Sequence, residues 1–157
     1  DYGPVCGHLW SHFLFPSGKV IHAQQVNFDN HSYRVGYIFR GDGSPLEQLE
    51  PEQVVIPPIS GKDTPPGSQN SDPLGSHHQR FGLLFHTSQG DEKVTGELLH
   101  SSIITYKPVM EEVIGTAVGA KGGLQMCDAG ARVWCDGEEG VSLYETSHRT
   151  SSLMVVR

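Results

Sequence analysis

The sequence predicts a mainly β fold: a curved, twisted antiparallel sheet packed on one short α-helix at 108–120, with a galectin-like β-sandwich as the alternative. Three observations predict it. The 157 residues include 19 Gly and 10 Pro, with 36% hydrophobic and 18% charged residues, a balance that suits strands and tight turns better than a helical bundle. Tyr33–Arg40 alternates cleanly, with Tyr33, Val35, Tyr37 and Phe39 on one face and Arg34, Gly36, Ile38 and Arg40 on the other. Helical periodicity is confined to 108–120, where Val109, Met110, Val113, Ile114, Ala117 and Val118 form one stripe.

Each element has its own signal. Leu9–Phe15 and Lys19–Val26 are apolar-rich segments joined by the turn Pro16-Ser17-Gly18. Phe28-Asp29-Asn30-His31 is a second turn, and Gly41-Asp42-Gly43-Ser44-Pro45 ends the alternating strand. Gln53–Ile56 is a short β-branched run stopped by Pro57-Pro58. The polar stretch 59–79, with Pro65-Pro66-Gly67 and Asp72-Pro73, is expected to be a mobile loop. Phe81–Thr87 and Lys93–Ile104 read as strands around Ser88–Asp91, with a bulge expected at Gly96. Pro108 suits a first helical position, Glu111 and Glu112 favour the positive end of the helix dipole, and Gly122-Gly123 marks the stop. Gly115 and Gly119 each cost that helix about 1 kcal/mol relative to Ala, so it needs a surface to lie against. Beyond it, Leu124–Cys127 and Arg132–Cys135 are expected to form a hairpin around Asp128-Ala129-Gly130. Val141–Tyr144 and Leu153–Val156 are expected to close the sheet, and Trp134 to lie in the core.

Length and charge bound the function. A chain of 157 residues is most simply one domain spanning 1–157. The formal net charge of −7, with 11 Lys plus Arg and no basic cluster, argues against nucleic acid as a partner. No apolar run reaches the length of a membrane span, so membrane insertion is not expected, and Asp1 opens no signal-peptide pattern. Three cysteines leave at least one thiol unpaired within the chain, and free buried thiols are expected over a Cys127–Cys135 disulfide.

The chemistry-bearing candidates are individually modest. Nine histidines, with His8, His12 and His22 near Cys6, invite a metal reading, but no second short ligand pair accompanies them; no metal or cofactor is expected. Gly18–Ala23, following His12, is faintly similar to the catalytic-His strand of NlpC/P60-type cysteine peptidases. Cys6 is too close in sequence for the usual order, and neither Cys127 nor Cys135 opens a helix. Tyr33–Val55 is similar to one Tudor-like barrel repeat, a module that cages methylated cations with aromatics. Arg40-Gly41-Asp42 and the sequon Asn30-His31-Ser32 both have complete explanations as turns.

A further resemblance gathers late in the chain. Gly130-Ala131-Arg132-Val133-Trp134-Cys135-Asp136-Gly137-Glu138, followed by a Ser/Thr-rich stretch, resembles the segment near the end of the rotavirus spike head. An early strand with Trp10 that turns at Ser17-Gly18, an aromatic strand at Phe81–Phe85 and the terminal Arg157, as a trypsin-like cut would leave, agree in type and order. The predicted helix departs from the galectin-like sandwich of the better-known heads, which points to a divergent group. The resemblance implies a non-enzymatic attachment domain on the virion outer capsid, made in the host cytoplasm, carried on a stalk and binding host cell-surface glycan. Sugars are held by polar side chains and aromatic faces on loops of a rigid sheet. Two regions offer that mixture: Arg40 and Asp42, and the segment carrying Glu138, Tyr144, Glu145, His148 and Arg149.

Overall fold

The strands follow the turn signals. A computed structural model describes residues 5–28, 31–56, 80–106 and 124–149. In chain order they form β1 (Val5–Leu14), β2 (Val20–Phe28), β3 (Ser32–Phe39), β4 (Glu47–Leu49), a 3-10 turn (Pro51–Gln53), β5 (Val54–Val55), β6 (Arg80–Thr87), β7 (Gly90–Tyr106), β8 (Leu124–Cys135) and β9 (Glu138–Arg149). The expected helix at 108–120, the 59–79 stretch and the Leu153–Val156 strand lie outside the described residues.

All nine strands belong to one sheet of order β4-β3-β2-β1-β9-β8-β7-β6-β5, antiparallel at every pairing. The mainly β expectation therefore holds. Two meanders are joined through β1 and β9, the first and last of these strands. The outermost strands, β4 and β5, are consecutive in the chain and linked by the 3-10 turn, so the sheet curls until it is nearly a closed barrel. The seam is tight: a Cβ on Gly36 of β3 would lie 2.9 Å from Val54 Cγ2 and 3.2 Å from Leu49 Cδ1. Gln53 fastens it by accepting from the Glu50 backbone N–H at 2.9 Å and donating to the His86 carbonyl at 2.7 Å.

Period-two alternation fills the interior. Leu9 and Phe13 of β1, Ile21 and Ala23 of β2, Ile38 of β3, Leu83 and Phe85 of β6, Val94 of β7, Ala131 and Val133 of β8 and Tyr144 of β9 point inward and are buried. Phe81 stacks on Tyr144 with centroids 4.1 Å apart and lies 6.1 Å from Phe13. Gly96 leaves room for this pair, since a Cβ there would sit 2.6 Å from Phe81 Cε1.

Three local expectations are corrected. β8 runs unbroken through Asp128-Ala129-Gly130, because those residues pair with Glu145, Tyr144 and Leu143 of β9 while Cys127, Ala129 and Ala131 keep the inward alternation. The bulge in β7 falls at Leu98/His100 rather than Gly96. Trp134 is half-buried on the outer face between Thr95 and Glu139, because Val133 and Cys135 take the inward positions on either side of it.

Candidate functional site

At the end of the barrel formed by the turn at 15–19 and the turns after β3, β6 and β8, acidic and basic side chains meet in a cleft of about 390 Å³. Arg40, with its side chain only 10% exposed, forms ion pairs with Glu92 and, at 2.6 Å, with Glu47, and donates to Thr87 Oγ1 at 3.2 Å. Lys19 Nζ lies 3.2 Å from Glu92, 3.1 Å from Asp136 and 3.6 Å from Cys135 Sγ. Glu92, Cys135 and Asp136 are close enough to share a metal ion, but the Lys19 ammonium already fills the space between them. Burial alone would lower the Lys19 pKa; the hydrogen bond to Asp136 and the nearby Cys135 and Glu92 outweigh it and leave it raised. The cluster is a set of paired charges that locks the turns together.

The sequence-derived site residues separate into three environments. Arg40 is committed to this lock, Glu138 accepts from the Ser17 backbone N–H at 2.6 Å and from its hydroxyl at 2.8 Å, and Asp42 accepts from Ser44 within its own turn. Tyr144 is a correction: it is 2% exposed and packs in the core, because an even-numbered position on β9 faces inward. Glu145, one residue on, faces outward, and His148 and Arg149 pair in register with Gly7 and Leu124 at the far end of β9.

Glu145 leads to a surface that sequence reasoning passed over. On the outer face of β1, β2 and β3 stands a row of rings from Trp10, His12, His22 and Tyr37. Centroids are 5.0 Å apart for Trp10 and His12, 4.5 Å for His12 and His22 and 5.9 Å for His22 and Tyr37. Cross-strand register builds the row, since His12 lies opposite His22 and His22 opposite Tyr37. Trp10, 37% exposed, lies between Gln24 on β2 and Glu145 on β9. A hairpin centred on Ser17 pairs residues whose numbers sum to 34, so the turn assignment already implied the His12–His22 and Trp10–Gln24 pairs.

Glu145 is held in place. Its carboxylate bonds His8 Nε2, and His8 Nδ1 bonds Ser147 Oγ, which also accepts the His8 backbone N–H at 3.1 Å. The three residues resemble a nucleophile–base–acid relay in composition. Ser147, however, is fully buried, so a carbonyl substrate cannot reach its oxygen. The relay fixes the Glu145 side chain beside Trp10. The two described thiols are equally unsuited to nucleophilic chemistry: burial pushes Cys127 up and Cys135 to about 11, far from a thiolate at neutral pH. The Tudor-like segment Tyr33–Val55 forms β3, β4 and β5 of the one sheet rather than a barrel of its own.

No protein-family profile matches the sequence, and no curated protein sequence matches it significantly. Among solved structures, the chain is similar to the crystal structure of a protein provisionally called AttH from Nitrosomonas europaea, with a TM-score of 0.59 and 14% identity. The match covers 92% of this chain and 39% of the other, so the chain spans well under half the length of that neighbour. At this identity the likeness is one of fold alone.

Proposed function

We propose that the domain is a non-enzymatic carbohydrate-recognition module that binds glycan on the outer face of β2, β1 and β9. The observation that carries this reading is the ring row ending in exposed Trp10, with Gln24 and Glu145 beside it in register. Sugars need apolar ring surface for their C–H faces and fixed donors and acceptors for their hydroxyls, and a hydrogen-bonded sheet supplies both at little ordering cost. Glu145, pinned by His8, accepts hydrogen bonds from hydroxyls; Gln24 both donates and accepts. The spike-head resemblance adds host cell-surface glycan as the source of the ligand and attachment as the role. The likeness to the Nitrosomonas protein contributes the scaffold alone.

A glycan array probed with the 157-residue chain, with free sugar as competitor, tests the proposal. Competable binding to a related set of oligosaccharides is expected, with affinity about tenfold or more weaker in Trp10→Ala, the change that one lost aromatic contact of roughly 1.4 kcal/mol produces. Binding that survives Trp10→Ala and Glu145→Ala unchanged removes this face from consideration, and a silent array removes the function.

A further inference from the structure

We propose that His12 and His22 form a two-imidazole site for a borderline divalent transition metal such as Cu²⁺, Ni²⁺ or Zn²⁺ on the outer face of the β1–β2 hairpin. The two residues are direct cross-strand partners on one face, with ring centroids 4.5 Å apart and planes inclined by 35°. Two imidazole nitrogens bound at about 2.1 Å to one ion lie roughly 3 Å apart, a separation that rings so placed reach by rotating about their side-chain torsions. Imidazole selects these metals over Mg²⁺ and Ca²⁺, which prefer oxygen.

A second observation points to a missing partner. The Ser11 backbone acts on the His22 ring, but His22 Nδ1, which is buried, meets no partner in good hydrogen-bond geometry, although nearly all buried polar atoms find one. Bringing this lone pair to a metal removes that deficit. Trp10 on one side and Tyr37 on the other hold the pair between aromatic walls, while the remaining coordination positions go to water.

The site is independent of the sugar reading and is tested without sugar. In a Trp134→Phe background, Trp10 is the one remaining tryptophan of the 2 in the chain, and its ring centre lies 5.0 Å from His12. Titration with CuCl₂ is expected to quench Trp10 saturably at one ion per chain, and MgCl₂ to leave it unchanged. His12→Gln and His22→Gln should each weaken the apparent affinity about tenfold or more, because a chelate becomes a single ligand. Unchanged quenching curves in both variants, or no quenching at all, overturn the proposal. Circular dichroism checks that the variants fold. Should either fail, electron paramagnetic resonance of the Cu²⁺ adduct of the parent chain decides: hyperfine coupling to two imidazole nitrogens upholds the site, and coupling to none or one overturns it.

Discussion

His22 shows how much one side chain can be asked to do on a sheet surface. It touches three other rings, keeps one ring nitrogen buried without a partner in good hydrogen-bond geometry, and is neutral because burial and His12 disfavour its charged form. That has a consequence for stability. Above its ordinary pKa the ring is neutral in both folded and unfolded chains and contributes no pH dependence. As the pH falls below about 6.5 the unfolded chain takes up the proton more readily than the folded one, so stability declines until the folded-state pKa is passed. Thermal unfolding in the presence of a chelator at about pH 7.5 and about pH 5.5 should therefore show a smaller drop in Tm for His22→Gln than for the parent chain. Equal drops would mean that the His22 ring is as easily protonated folded as unfolded. No local motif announces this pair, because antiparallel pairing joins residues 12 and 22 across the turn at Ser17 rather than at a short spacing along the chain.

At the scale of elements, the strands were legible where alternation was strict and bounded by Gly or Pro, as in β3 and the β1–β2 hairpin. They are hidden where small residues imitate a turn. Asp128-Ala129-Gly130 has turn composition, yet β8 continues through it because β7 and β9 flank it and satisfy its backbone groups on both sides. The partners of Arg40 are equally hidden along the chain. Next to Gly41-Asp42 it looks like a surface turn residue, and only the folded chain brings Glu92 of β7 and Glu47 of β4 to its guanidinium. Glu92 is the key to that end of the barrel, since it is 6% exposed and pairs both Arg40, which follows β3, and Lys19, which precedes β2. Replacing it leaves two largely buried cations with fewer counter-charges. Glu92→Ala should cost roughly 3–5 kcal/mol in urea unfolding, whereas an exposed pair such as Arg132–Glu139 should contribute about 0.5 kcal/mol when Glu139 is replaced. A Glu92→Ala cost no larger than that of Glu139→Ala would show that the cluster is wet and weak, and would reopen the cleft as a ligand site.

At the scale of the molecule, the described strands form one curled sheet around one buried core. Cys127 and Cys135 report on this, because both sit on β8, both face inward and both are at most 2% exposed. They are free thiols, as expected from the sequence, and eight positions apart on an extended strand they are about 26 Å from each other, far beyond disulfide reach. Their environments also suppress reactivity, since burial raises both pKa values and reaction proceeds through the thiolate. Labelling therefore requires access and ionisation together, and both arrive only when β8 leaves β7 and β9. In a Cys6→Ser chain, a chromogenic disulfide reagent should leave both thiols unmodified under native conditions. In urea, both should react with the same midpoint as the change in Trp10 and Trp134 fluorescence. Coincident transitions would show that the two halves of the sheet unfold as one cooperative unit. Early modification of Cys127 or Cys135 would place a local opening in β8, and with it a route into the interior that a reactive thiol could use.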